Sequence, residues 1–195
     1  GSKANRNLGH AFDDIRRLTS ALDLPRSARD RAYAICRAGQ DADLFVGRSI
    51  EAIASASVHA ATRCLGLPWT LADIADYARC DRQTIRTAYR ALNLELGLPI
   101  RPLRPRTFVP RLASALELPA RICKRAYDLA VEAEDAGLGI GCDPVGVAAA
   151  CLYGAGHDRR VGLTQKRVAN VANVTTATLG RRWRALRSLD AEPRA

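Results

Sequence analysis

Residues 164–189, TQKRVANVANVTTATLGRRWRALRSL, read as two short helices joined by a tight turn. Val168, Ala169 and Ala172 fall at helical spacing after Thr164. Asn173 and Val174 interrupt the pattern, and Thr175 is suited to cap a second helix. That helix places Leu179, Trp183 and Leu186 on one face, with Arg181, Arg182 and Arg184 around the rest. A helix-turn-helix of this form lays its second helix in a DNA major groove. Many helical hairpins share the pattern, so the argument rests on its occurring twice.

Working outward, residues 20–92 align with residues 114–186 without a gap, at a constant offset of 94, and 22 of the 73 positions are identical. SALDLPRSARDRAY (20–33) answers SALELPARICKRAY (114–127). Gly47 answers Gly141, Thr70 answers Thr164, and Arg90-Ala91-Leu92 answers Arg184-Ala185-Leu186. A solenoid would repeat at shorter periods and more often. Two copies of this length predict two domains of one fold in tandem, residues 5–97 and 107–190.

Each copy reads as five helices, and no stretch alternates well enough to be a strand. In the first copy the helices are expected near Asn7–Leu22, Arg26–Gln40 (Pro25 in its first turn), Ile50–Leu65 capped by Ser49, Thr70–Tyr77 and Arg82–Leu96 capped by Asp81. The third carries a stripe of small residues and is expected at the centre of the domain. Thr70 with Asp73 forms a capping box. The second copy has helices near Thr107–Leu116, Ala120–Ala136, Pro144–Gly156, Gln165–Asn173 and Thr176–Leu189. The fold class is therefore all-α, two five-helix domains each ending in a helix-turn-helix. Between them, residues 98–106 form a linker whose prolines disfavour helix. Its arginines suit either a solvated spacer or a basic strap near a phosphate backbone.

Composition agrees with a nucleic-acid partner. Thirty Lys and Arg against twenty Asp and Glu give a net charge of +10, and such an excess favours nucleic acid before a membrane surface. Residues 1–100 hold 14 basic and 11 acidic side chains, residues 101–195 hold 16 and 9, so the second copy is expected to make the stronger polyanion contact. The six cysteines include no C-x-x-C pair, which excludes a zinc site of the usual spacing and predicts small core residues instead. No signal peptide and no apolar run of about 18 residues is present, so the chain reads as soluble and intracellular. Gly1-Ser2 reads as a cloning scar, and the absence of methionine suggests an excised fragment. Gly137–Gly141 (GLGIG) follows a helix and has no P-loop lysine, so it reads as a turn. Trp183 and Tyr89 share one repeat position on an apolar stripe and read as core. His10, His59 and His157 have no partners at catalytic or metal spacing, and nothing indicates an enzyme.

With GRSIEAIASASVHAATRCLGLPWTLADIADYARCDRQTIRTAYRALNLELGL in the first copy and TQKRVANVANVTTATLGRRWRAL in the second, the chain resembles the transcription factor IIB family. The likeness is to the core of its archaeal members, called transcription factor B, which is built from two cyclin-like repeats. The resemblance implies an archaeal, cytoplasmic, nucleoid-associated protein. Its partners would be TATA-binding protein, promoter DNA and RNA polymerase, with no membrane and no small-molecule substrate. It also implies that zinc belongs only to an N-terminal ribbon absent from this chain, so no cofactor is expected here.

Carried over residue by residue, Arg48 matches a phosphate-contacting arginine, while Arg63 and Arg82 match positions that meet an acidic patch on TATA-binding protein. All three also fit solvated charges at helix ends. In the second copy Thr164, Gln165 and Lys166 open a helix whose N–H groups, hydroxyl and charge suit phosphate. Thr175 and Thr178 open the recognition helix, within reach of backbone or a thymine methyl. Here the chain departs from its relatives. Ala177 stands where the family has valine, and Gly180 stands where it has a base-reading arginine. An arginine–guanine pair contributes about 1–3 kcal/mol of discrimination, which glycine cannot supply. The expectation is weak or altered reading of the upstream element, with Arg181 and Arg182 compensating. Trp69 likewise replaces a frequent arginine.

Two rival readings carry their own signatures. A cyclin-like module that only docks proteins should expose an apolar groove and need not be basic. A diverged paralogue would keep DNA binding but act on selected promoters, which Ala177 and Gly180 favour.

Overall fold

Small side chains decide the centre of each domain. The structure, a computed structural model, describes residues 3–191; Gly1-Ser2, read as a scar, lies outside them. Helix α3 (Ile50–Leu65) is buried at twelve of its sixteen residues, among them Ala52, Ala54, Ala56, Ala60 and Ala61. Such a helix has no polar face to turn to water, so its neighbours pack around it. Helices α1 (Lys3–Ala21), α2 (Arg26–Asp41), α4 (Leu71–Ala75) and α5 (Arg82–Leu96) do so. In the second domain α8 (Pro144–Asp158) takes this place, surrounded by α6 (Pro105–Ala115), α7 (Ala120–Asp135), α9 (Gln165–Ala172) and α10 (Thr176–Ala191). No strand occurs among the described residues. The chain divides into two units between Pro102 and Leu103, and each has its own apolar core.

The expected caps account for most helix starts. Ser49 accepts from the Ala52 N–H at 3.1 Å, and the Thr70–Asp73 box closes in both directions. Asp81 accepts from the Thr84 N–H at 2.9 Å, which together with the Thr84 hydroxyl holds its carboxyl below the usual range. Gly66 and Gly97 end α3 and α5 at φ +68° and +54°, a conformation that glycine adopts without a Cβ clash.

Several helix ends differ from expectation, most by one or two residues. Helix α1 begins at Lys3, earlier than Asn7, and Pro25 is the N-cap of α2, outside its first turn. Helix α4 stops at Ala75, and Arg17 donates to the Tyr77 carbonyl beyond it at 2.8 Å. Helix α6 starts at Pro105, inside the stretch read as extended. A proline at the first helical position loses no hydrogen bond. The Glu134 carboxylate then accepts from the Arg106 N–H at 2.9 Å and from its Nε at 2.6 Å, placing a negative charge where the helix dipole favours one. Arg106 is thus committed within its own domain. The Arg101 N–H donates to the Arg63 carbonyl at 3.1 Å, and Ile100 packs on the first core. Of the three linker arginines, Arg104 remains exposed and outside these ties.

One packing solution recurs with exchanged sizes. His59 of α3 meets Tyr89 of α5 edge to face at 4.7 Å; the equivalent residues Tyr153 and Trp183 meet at 5.6 Å. A Cβ on Gly154 would come within 2.4 Å of the Trp183 ring. The first domain has Ala60 there, beside the smaller Tyr89. Trp183 is therefore a core residue, as expected. Burial, helped by the nearby Arg63, pushes the His59 imidazole down to about 3, and its Nδ1 has no hydrogen-bond partner. The described cysteines are all free; burial raises Cys36 and Cys151 to about 12, far from a reactive thiolate.

Candidate nucleic-acid interface

Val168, Ala169 and Ala172 of α9 and Leu179 and Leu186 of α10 are buried in the second core, which fixes the outward faces of both helices. Thr164 caps α9 by accepting from the Arg167 N–H at 3.2 Å. Asn173 turns the chain at φ +56°, one of the few non-glycine residues to tolerate that region. Thr175 then caps α10, accepting from the Thr178 N–H at 3.1 Å and donating to its hydroxyl at 2.9 Å. The result is a helix-turn-helix braced from beneath, as a motif that must enter a groove requires.

Its charge is one-sided. Residues 159–189 contain eight basic and no acidic side chains, whereas the equivalent residues 65–95 contain four of each. Lys166, Arg181, Arg184 and Arg187 are exposed. Helical spacing of three sets the last three along one side of α10. Arg184, placed on the outer side of this helix from the sequence, and Arg187 were not among the expected DNA contacts, although their i, i+3, i+6 spacing from Arg181 was there to be read. Arg167 is exposed but occupied: it donates to the Leu116 carbonyl at the end of α6 at 3.1 Å.

The remaining anticipated site residues fall into separate groups. The Thr175 and Thr178 hydroxyls are joined to each other, and Arg181 reaches the second at 3.5 Å. The Thr178 methyl and the Arg182 stem face Gly146 of α8, where a Cβ would meet them at 3.3 and 3.8 Å; both point inward. Gln165 lies beside Gly180, its Oε1 being 3.7 Å from where a Cβ on that glycine would stand. In the first domain Arg48 folds back to donate to the Leu44 carbonyl at 3.1 Å. It borders a cleft of about 300 Å³ between the start of α3 and the Gln83–Thr87 turn of α5. Arg63 lies at the far end of α3, fifteen residues on, which is about 22 Å along a helix; it and Arg48 cannot serve one contact. Arg63 is half-buried. Its charge, with those of Arg31 and Arg101, opposes the burial that raises the Cys64 thiol, so these three arginines form one basic region. Arg82 is exposed in the first turn of α5. Arg31 was not marked from sequence and Arg101 only as a linker arginine, because only the fold brings them beside Arg63.

Among the described residues no group of three or more His, Cys, Asp or Glu is placed to hold a metal ion, and no helix is long and apolar enough to cross a membrane. The model of the transcription factor TFIIB repeat matches the chain twice, at residues 4–95 and 101–188. The chain is 46% identical over 178 residues to transcription initiation factor IIB 5 of Halobacterium salinarum, covering 91% of this chain and 58% of that protein. It is 44% identical to factor IIB 1 of the same organism, over 91% of this chain and 62% of that protein. To transcription initiation factor IIB of Archaeoglobus fulgidus it is 41% identical, over 93% and 56%. The chain thus spans about three fifths of the length of these relatives.

Proposed function

Because the chain belongs to the family of transcription factor TFIIB repeats, we propose that it is the core of a transcription initiation factor that holds TATA-binding protein on promoter DNA. The first repeat faces TATA-binding protein and downstream DNA, the second lies over the DNA upstream of the TATA element, and the assembly helps recruit RNA polymerase. The observation that carries this reading is the run of eight basic and no acidic side chains across the braced helix-turn-helix of the second repeat. Four exposed cations there (Lys166, Arg181, Arg184 and Arg187) suit phosphates, with Thr164 and the α9 N-terminus presenting donors beside them. In the first repeat Arg48 is assigned a phosphate, and Arg63 and Arg82 are assigned acidic groups of TATA-binding protein. The reading involves no catalytic step.

A mobility-shift titration with a TATA-containing duplex, with and without TATA-binding protein, tests it. A ternary complex should form. Five phosphate contacts, four in the second repeat and Arg48 in the first, give a log–log salt slope of about −4.5, roughly a five-hundredfold loss of affinity between about 50 and 200 mM salt. Lys166→Gln should reduce that slope by about 0.9, while Arg63→Glu or Arg82→Glu should weaken the complex only when TATA-binding protein is present. Binding that gains nothing from TATA-binding protein refutes the clamp, and no DNA binding at all points to the protein-docking alternative.

A further inference from the structure

The exposed side of α10 is bare where a recognition helix usually carries its readers. Ala177 is a methyl group and Gly180 is nothing. Thr175 and Thr178 spend their hydroxyls on the cap, and the Thr178 methyl and Arg182 stem turn toward α8. What fills the space above Gly180 is a side chain from the other helix. Gln165, the first residue of α9, sets its carboxamide where the glycine leaves room, 3.7 Å from the absent Cβ. It is half-exposed, and among the described residues none hydrogen-bonds that carboxamide.

A carboxamide offers one donor and one acceptor side by side. This pair matches the N6 and N7 edge of adenine in the major groove and does not match the two acceptors of guanine. The small residues at 177 and 180 let α10 approach the base edges closely, and the Ala177 methyl suits the thymine methyl. We propose that Gln165, and no arginine of α10, fixes base preference in the second repeat, by bidentate pairing to an adenine upstream of the TATA element. Arg181, Arg184 and Arg187 then supply phosphate contacts that position without specifying. The inference rests on the second repeat's lying over upstream DNA.

The test selects duplexes from a pool randomised upstream of a TATA element, in the presence of TATA-binding protein, and then measures affinity for the winners. The wild-type chain should enrich adenine at one upstream position, and replacing that base pair by G·C should weaken binding about ten- to a hundredfold. Gln165→Ala should lose that discrimination and keep the salt slope, which a merely structural role for Gln165 would not produce. Gly180→Arg places a long side chain over Gln165, where the first atom fits without a clash, and should move the preference to guanine. If Gln165→Ala selects the same base as the wild type, or the wild type selects none, the inference is overturned while the DNA-binding reading stands. If the wild type forms no complex with TATA-binding protein on any duplex, the underlying reading fails and this inference fails with it.

Discussion

Replacing His59 by glutamine should flatten the acid limb of the first domain's stability curve. His59 is 5% exposed, its Nδ1 is unpartnered, and burial together with Arg63 lowers it from an ordinary 6.5 to about 3. The folded state therefore refuses a proton that the unfolded chain accepts. For a depressed folded value, the stability tied to the neutral form is complete above the unfolded value and declines as pH falls below it. Integrating the linkage from about pH 7.5 to about pH 5 gives a loss of about 2 kcal/mol from this group alone. The decline levels off only when the folded protein itself takes up the proton, near 3.

The assay is urea unfolding at each pH, followed by tryptophan fluorescence in a Trp183→Phe background, which leaves Trp69 as the only tryptophan and so reports on the first domain. His59→Gln lowers stability at every pH through lost packing, and that offset cancels in the comparison. What matters is the difference in slope: the glutamine variant should lose about 2 kcal/mol less than its parent across the interval. Carboxylates titrate alike in both proteins and drop out. Parallel curves would refute the reasoning, and so would a His59 imidazole proton whose chemical shift titrates near 6.5.

Two further outcomes follow from the second domain. Gly154→Ala drives a methyl to within 2.4 Å of the Trp183 ring and should cost about 1–3 kcal/mol by overpacking. Adding Trp183→Tyr recreates the Ala60–Tyr89 pairing of the first domain and should recover part of that loss, so a double-mutant cycle without positive coupling would contradict the size-exchange account. Thr175→Ala removes the cap of α10 and should cost about 1 kcal/mol, read as a lower melting temperature of the second domain; a loss within a few tenths would mean the cap is redundant.

The helices were legible because their signals are local. Ser49, Asp81 and Thr175 each cap the residue three positions on, and the apolar spacing of α3, α5 and α10 names its own buried face. The 94-residue offset made each assignment twice, so an ambiguous stretch in one copy was settled by the other. What escaped was what depends on a second element. Arg182 looked like Arg181 in the sequence, yet it lies against Gly146 because α8 has a glycine there. Arg167, beside the expected phosphate ligand Lys166, serves the end of α6, fifty-one residues back. Pro105 broke no helix because Glu134, far along the chain, anchors the first turn it opens.

The two repeats also show which part of such a domain is free to change. At the centre of each domain a packed pair trades volume between its members, as Ala60–Tyr89 and Gly154–Trp183 do. On the outer face of the last helix Arg90 and Arg184 agree, but their neighbours differ. Arg86 and Thr87 in α5 become Gly180 and Arg181 in α10, and a neutral hairpin becomes one with eight positive charges and no negative ones. The core constrains only the seam, about one residue in three or four along each helix, so the opposite face can be rewritten without loss of the fold. Placing an arginine at 180 therefore changes the outer face at little structural cost. A glycine in mid-helix forgoes about 1 kcal/mol relative to alanine, and only the nearby Gln165 carboxamide occupies the space it leaves.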